Sequence, residues 1–190
     1  AYTGAHVLDA CERLGVPLVT HIHGADVYHE DVLRTSAEAY RRLFASGAAF
    51  IYGARSMKPH LLRLGVPEAK LRYNPCGVNT NQFLPTDPER NAPTFVSLAR
   101  FADKKGPLQT LLAFSKVAVE VPDARLLAIG EGALLEACRQ MAKALRVDDR
   151  VDYVGRVRED DDVARYLRTG RAFVQHSVTT SYGDAEGTVI

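Results

Sequence analysis

The chain has 190 residues, 46% of them hydrophobic, enough to build one domain or two small ones around a core. Its formal net charge of +1 argues against a general nucleic-acid binder or a protein that coats anionic membranes, because both need a larger basic excess. No apolar run approaches the length that spans a bilayer. The scattered cysteines, Cys11, Cys76 and Cys138, indicate buried free thiols in a reducing cytoplasm, and neither a disulfide nor a metal framework.

Helical and extended patterns alternate along the first half of the chain. Apolar residues at helical spacing predict helices, and short apolar runs predict buried strands. The predicted helices cover residues 5–14, 33–44 and 56–64, and the predicted strands cover residues 17–22, 48–52 and 71–74. Gly15 is well placed to end the first helix. This alternation is typical of a parallel α/β unit whose right-handed crossovers put helices on both faces of the sheet.

The composition changes from Pro75 to Pro93, where prolines and asparagines accumulate. We interpret this stretch as an ordered connection between two α/β units, although a long surface loop inside one domain has a similar composition. The sequence therefore predicts a first unit at residues 1–75, a linker at residues 76–93 and a second unit at residues 94–190.

The second half repeats the alternation more cleanly. Strands are predicted at residues 94–99, 124–129, 151–154 and 172–174. The first intervening helix carries an apolar stripe, the second helix carries another, and the third is short, running from about residue 160 to 168 with acidic residues at its N-terminal end. The first stripe consists of Leu108, Leu111, Leu112 and Val119, and the second of Leu134, Cys138, Met141 and Leu145.

Small and polar residues follow directly after each strand of the second unit, at residues 100–106, 130–132, 155–156 and 175–187. In an open parallel sheet these positions share one edge, and ligands bind in the crevice beyond the strand ends. The cationic loop, residues 100–106, carries Arg100, Lys104 and Lys105 just before Pro107 at a predicted helix start, an arrangement suited to phosphate. The alternative without a ligand site is that these lysine and arginine side chains are simply exposed to solvent and that the glycines only form turns.

Neither the dinucleotide fingerprint nor a Gly-Lys-Ser/Thr phosphate loop is present, so the edge is predicted to be a nucleotide or sugar-phosphate pocket of another kind. The sequence resembles a known family, the retaining nucleotide-sugar-dependent glycosyltransferases of the GT-B fold, of the family-four kind. The resemblance covers nearly the whole chain. It runs through the segments THIHGADV, YNPCGVNTNQF, LARFADKKG, IGEGALLEACRQMAKAL, VDYVGRV and HSVTTSYGDAEGTVI.

The resemblance implies two Rossmann-like domains, with the acceptor mostly on the first and the nucleotide-sugar donor on the second. Residues 1–75 would then be the C-terminal part of the acceptor-side domain, and residues 94–190 the N-terminal part of the donor domain. Arg100 and Lys105 would hold the donor diphosphate and neutralise the charge growing on the leaving group, a role that also suits their chemistry. Glu186 would contact the donor sugar without attacking it, since the leaving phosphate itself helps to deprotonate the acceptor in this family.

Further residues are assigned to the two substrates. The other donor-binding residues are Gly130, Glu131, Gly132, Arg156, Gly187 and Thr188. On the acceptor side, the family pattern puts His23 near the reacting sugar, with Gly24 and Asp26 beside it, although Asp26 is equally suited to cap the following segment. His21 shares a strand face with His23, but too few further ligands complete a metal site, so we expect no metal and no cofactor, and His21 is predicted to pack in the core.

Two departures from the family pattern bear on activity. The second glutamate of the acidic motif, which clamps the nucleotide ribose, is absent because the chain stops at Ile190, and Val189 stands where the family usually has proline. The first strands of the N-terminal domain are also absent. We therefore expect an internal fragment that lacks both ends of the enzyme and is inactive alone.

The resulting hypothesis is transfer of a sugar from a nucleotide-sugar to a hydroxyl of a saccharide or lipid-linked acceptor, with retention of configuration, in polysaccharide or glycoconjugate synthesis. Two alternatives stay open: a sugar-nucleotide epimerase of the same fold, and a non-catalytic nucleotide-sugar-binding fragment. The expected partners are the donor and the acceptor, with no nucleic acid. The expected location is the cytoplasm, and peripheral contact at the inner face of the membrane stays open, since some relatives use lipid-linked acceptors.

Overall fold

A computed structural model describes residues 1–178 of the chain. These residues divide into two compact units, residues 1–77 and residues 78–178. The division falls at the start of the predicted linker, so most of that segment belongs to the second unit.

The first unit is built on a three-stranded parallel sheet with strand order β1-β2-β3. The strands are β1 (Val19–Ile22), β2 (Ala49–Tyr52) and β3 (Leu71–Tyr73). The helices are α1 (Tyr2–Leu14), α2 (Gly24–Tyr28), α3 (Glu30–Thr35), α4 (Ala37–Ser46) and α5 (Met57–Arg63). Fully buried side chains of Leu43, Phe50 and Leu61 form the centre of the core. The predicted parallel arrangement is confirmed.

Some of the helix and strand predictions for the first unit are confirmed, and others are wrong. Gly15 ends α1 with a left-handed φ of 64°, as predicted. The single helix predicted over residues 33–44 is wrong: the structure has two helices, α3 and α4, which meet at the buried residue Ser36. The prediction that β1 is a buried strand holds for only one of its two faces. This strand lies at the edge of the described sheet, and it exposes Val19 and His21 while burying the residues between and after them.

The second unit contains a four-stranded parallel sheet with strand order β6-β5-β4-β7. The strands are β4 (Thr94–Leu98), β5 (Arg125–Ile129), β6 (Val151–Gly155) and β7 (Ala172–Phe173). The helices are α6 (Pro107–Glu120), α7 (Leu135–Ala144) and α8 (Asp160–Thr169). The predicted α/β alternation is confirmed here as well.

The order of these strands fixes where a ligand can bind. The chain moves from β4 outward to β5 and β6, then returns to place β7 on the other side of β4. The strand order therefore reverses between β4 and β7, and in open parallel sheets ligands bind in the crevice beyond the carboxyl ends at such a point. The loops after β4 and β7 border that crevice.

The helix stripes were predicted with unequal success. In α6 the buried residues are Leu111, Phe114 and Ala118, whereas Leu112 and Val119 are 45% and 81% exposed, so the predicted stripe is wrong at these two positions. The reason is the 3.6-residue period: Val119 is displaced by about 100° from the buried Ala118. In α7 the prediction holds, since Cys138 is fully buried and burial raises the pKa of its thiol to about 11. Cys76, in contrast, is exposed.

None of the helices within residues 1–178 is long and apolar enough to cross a membrane.

Candidate functional site

The cationic loop leaves β4 and closes at the start of α6. Its last residue, Gly106, adopts a left-handed φ of 55°, and Pro107 occupies the first position of α6, as predicted. Residues 103–105 form a single 3₁₀ turn that includes Lys104 and Lys105. Arg100 is exposed at the beginning of the loop. Three cations are thus gathered in front of a 14-residue helix, whose N-terminal N–H groups favour an anion.

The glycine loop, residues 130–132, packs directly against the cationic loop. The Phe101 N–H donates to the Glu131 carbonyl oxygen at 3.0 Å, and the Phe101 carbonyl accepts from the Leu134 N–H at 3.0 Å. Gly130 and Gly132 have φ values of 136° and 153°. A Cβ on Gly132 would lie 2.5 Å from the Phe101 carbonyl oxygen, and a Cβ on Gly130 would overlap the Ala99 carbonyl oxygen. Both glycines are therefore required for the close approach of the two loops.

The loop after β6 joins the same edge. The Gly130 N–H donates to the Gly155 carbonyl oxygen at 2.8 Å, which ties this loop to the glycine loop. The Arg156 guanidinium lies 3.4 Å from the Glu131 carboxylate, and the two side chains are 60% and 58% exposed. An exposed pair of this kind contributes less than about 1 kcal/mol, so both groups can rearrange around a ligand.

The loop after β7 closes onto the cationic loop from the other side. The Val174 N–H donates to the Val96 carbonyl, and the Val178 N–H donates to the Lys104 carbonyl at 3.0 Å. A Cβ on Gly106 would lie 2.5 Å from the His176 carbonyl oxygen, so this approach also depends on glycine. The four predicted loops therefore meet at one edge. The remaining predicted site residues, Glu186, Gly187 and Thr188, lie outside the described residues.

Tyr153 lines the candidate site together with the cationic loop, and it was not identified from the sequence. A cavity of about 20 Å³, with room for one water molecule, is lined by residues that include Arg100, Lys105 and Tyr153. The buried Tyr153 hydroxyl has no hydrogen-bond partner within residues 1–178, and the Arg139 guanidinium lies 4.8 Å from the centre of its ring. Burial raises the pKa of Tyr153 to about 12, so the phenol stays neutral. Its only sequence signal is its position two residues before Gly155 on β6.

A second group of predicted residues lies in the first unit, where β1 ends. The rings of His21 and His23 are both exposed, with their centres 4.4 Å apart, so the prediction that His21 packs in the core is wrong. Gly24 begins α2 immediately after His23. Asp26 caps this helix, because one of its carboxylate oxygens accepts the His23 N–H at 2.9 Å. Within residues 1–178 no group of three or more histidine, cysteine or acidic side chains is arranged to hold a metal ion.

The pKa of Asp26 reflects opposing influences. Burial alone would raise it, but the hydrogen bonds that the carboxylate accepts from the His23 N–H, the Ala1 ammonium and the Tyr2 N–H, together with the charge of that ammonium, outweigh burial and lower it. The carboxylate is therefore ionised at neutral pH.

This lowered pKa predicts a pH-dependent contribution to stability. A carboxylate whose pKa is lower in the folded chain stabilises the fold above its unfolded-state pKa, and the contribution is lost as the pH falls through the folded-state value. We expect Asp26→Asn to lower the free energy of unfolding at about pH 7 and to lower it less at about pH 3. Urea unfolding at both pH values measures the difference, and an equal loss at both would contradict the assignment.

Comparison with known proteins finds a matching family model for each of the two units. Residues 80–190 match the family model described as "Glycosyl transferases group 1", and residues 1–82 match "Glycosyltransferase Family 4". The amylovoran biosynthesis glycosyltransferase AmsK of Erwinia amylovora is 27% identical over 171 residues, which cover 89% of this chain and 42% of the relative. A GDP-mannose-dependent alpha-(1-6)-phosphatidylinositol monomannoside mannosyltransferase of Mycobacterium tuberculosis is 34% identical over 106 residues, 50% of this chain and 27% of the relative.

The chain thus spans less than half the length of these curated relatives. Among solved structures, Anabaena Alr3699/HepE, crystallised with UDP and glucose, aligns with a TM-score of 0.70 at 18% identity, covering 91% of this chain and 49% of that protein. Likeness at this identity shows the fold, and the predicted GT-B class of parallel α/β architecture is confirmed. The family model matches more than half of the sequence, and the chain therefore belongs to the group 1 glycosyl transferases.

Proposed function

We propose that the complete protein transfers a sugar from a nucleotide-sugar donor to a hydroxyl of a saccharide or lipid-linked acceptor, with retention of configuration. The observation that carries the proposal is the meeting of the loops after β4, β5, β6 and β7 at one edge of the second sheet, with Arg100 and Lys105 just before α6. The named relatives act in amylovoran biosynthesis and in GDP-mannose-dependent mannosyl transfer, and the Anabaena structure holds UDP and glucose. These likenesses favour glycosyl transfer within this fold.

The proposed chemistry places positive charge where negative charge develops. As the bond between sugar and diphosphate breaks, charge accumulates on the departing phosphate, and Arg100 and Lys105 stabilise it. The N–H groups at the start of α6 add to the same field. Because these groups supply the positive charge, we propose that transfer needs no metal ion and no cofactor.

The rest of the donor is assigned to the neighbouring loops. Gly130 and Gly132 contribute through their backbone, since their closeness to the cationic loop shapes the floor of the crevice. The weakly paired Glu131 and Arg156 are exposed and suited to polar groups of the nucleotide. Glu186, Gly187 and Thr188, outside the described residues, are proposed to reach the donor sugar.

The acceptor is assigned to the first unit. His23 presents an exposed ring after β1, and Gly24 and Asp26 follow in the same short segment. An exposed imidazole is suited to a hydrogen bond with a sugar hydroxyl. We assign His23 as the polar partner of the reacting sugars, within the acceptor-side unit.

Thermal stabilisation by nucleoside diphosphates, followed by product analysis, tests the proposal. We expect one nucleoside diphosphate to raise the Tm of the complete protein, since ligand at about 100 times its Kd adds about 2.7 kcal/mol to stability. The matching nucleotide-sugar should then yield a glycosylated product only when acceptor is present. Change of the sugar without acceptor would identify an epimerase, and binding without turnover would identify a non-catalytic nucleotide-sugar-binding protein.

A further inference from the structure

We infer that Asp26 is a positioning residue that holds His23 for the reaction and makes no contact with the acceptor itself. The inference rests on the proposed function and deepens it. It starts from the contacts of the Asp26 carboxylate, which is 13% exposed. One oxygen accepts the His23 N–H at 2.9 Å. The other accepts the Tyr2 N–H and the Tyr40 hydroxyl, both at 3.1 Å.

These contacts occupy both oxygens with donors of the protein's own chain. A carboxylate accepts about four hydrogen bonds, so little capacity is left for a substrate hydroxyl. The acceptor role therefore falls to an exposed neighbour, and the His23 ring is exposed in the same segment.

Asp26 also joins three elements that the sequence separates. Through its contacts it connects the start of α1, the start of α2 and the interior of α4. Helix α2 has five residues, too few to be stable by itself, so its position depends on such contacts. The backbone of His23, immediately before α2, is fixed by the same carboxylate. Displacing the carboxylate would therefore displace the histidine.

Tyr40 holds the Asp26 carboxylate from within the core of the first unit. Its side chain is 3% exposed, and its hydroxyl donates to Asp26 from 14 residues further along the chain. Burial, together with the adjacent Asp26 carboxylate, raises the pKa of Tyr40, so the hydroxyl keeps its proton and remains a donor. Tyr40→Phe removes this donor and keeps the apolar packing. The variant therefore perturbs Asp26 without touching substrate.

The experiment compares Asp26→Asn and Tyr40→Phe in the complete protein at neutral pH. A displacement of about 1 Å at a reacting group costs up to about a hundredfold in rate, so we expect kcat to fall about 10- to 100-fold in Asp26→Asn and about 3- to 10-fold in Tyr40→Phe. The KM for the donor should stay within about twofold, because the nucleotide and the diphosphate of the donor are assigned to the second unit. Hydrogen exchange of the His23 amide should accelerate by about tenfold in Asp26→Ala, which removes the acceptor, whereas asparagine keeps one oxygen that can accept.

Two controls separate positioning from loss of stability. Tyr52→Phe removes a hydroxyl from another buried tyrosine of the same unit, one that is not among the donors to Asp26 within residues 1–178, and it should leave kcat unchanged. Leu43→Ala destabilises the same core and should also leave kcat of the folded fraction unchanged.

The outcomes are distinguishable. A wild-type protein that transfers sugar, with both Asp26 and Tyr40 variants at wild-type kcat, overturns the positioning role alone. A wild-type protein that transfers no sugar with any donor overturns the proposed function and this inference with it. Unaltered exchange of the His23 amide in Asp26→Ala also overturns the positioning role, whatever the activity.

Discussion

Lys105→Ala is expected to lower kcat for sugar transfer by about a hundredfold or more, the usual effect of removing one preorganised charge contact from a transition state. Lys105 lies in the turn that precedes α6 and lines the small cavity with Arg100. The charge it supplies matters most when the diphosphate departs, so kcat should fall more than donor affinity. Steady-state kinetics of the complete protein with its nucleotide-sugar measure both quantities.

The matched control is Lys116→Ala, which removes an exposed lysine from the same helix, α6, well beyond its first turn. This variant should keep full activity. Lys105→Arg should restore part of the rate, because arginine keeps the charge but differs in length and geometry. Activity of Lys105→Ala within a few-fold of wild type would exclude the proposed diphosphate contact.

Gly130→Ala should destabilise the second unit by about 2–5 kcal/mol, the sum of backbone strain and overpacking. Gly130 has a φ of 136°, and an added Cβ would overlap the carbonyl oxygen of Ala99. The loop cannot relax freely, because two hydrogen bonds hold it. The Gly130 N–H donates to the Gly155 carbonyl oxygen, and the Glu131 carbonyl oxygen accepts from the Phe101 N–H. Thermal and urea unfolding followed by circular dichroism measure the loss.

Gly155→Ala is the control for this second prediction. Gly155 also has a positive φ, 81°, but a Cβ there would meet nothing within 4 Å. Only the backbone strain remains, so the expected loss is about 1 kcal/mol. If the two variants were equally stable, the close approach of the glycine loop to the cationic loop would be wrong.

Local signals predicted much of the fold. Gly15 and Pro107 mark helix ends through their own backbone preferences, and alternation of apolar patterns was sufficient to indicate parallel sheets. The break at Ser36 was missed because the apolar stripe continues across it. The exposure of Leu112 and Val119 was missed because apolar character alone does not say which side of a helix meets the sheet.

The candidate site was predicted less completely. The cationic loop and the convergence of four loops follow from the rule that carboxyl ends of parallel strands share one edge. The requirement for Gly130 and Gly132 arises from the backbone of Ala99 and of Phe101, about 30 residues earlier in the chain, so no local pattern reveals it. The contact between Asp26 and Tyr40 is of the same kind, since it depends on where α4 packs.

The strand order of the second unit has a consequence for folding kinetics. Strands β4 and β5 pair Thr94 with Arg125 across a single helical crossover, so their contact forms between segments close in sequence. Strand β7 pairs with β4 at Phe95 and Ala172, and this contact must close a loop that contains all the other strands of the sheet. Loop closure slows as the separation grows, so β7 docks late. The segment carrying His176 therefore reaches Gly106 only when the unit is complete, and the edge proposed to bind phosphate is the last part of the unit to assemble.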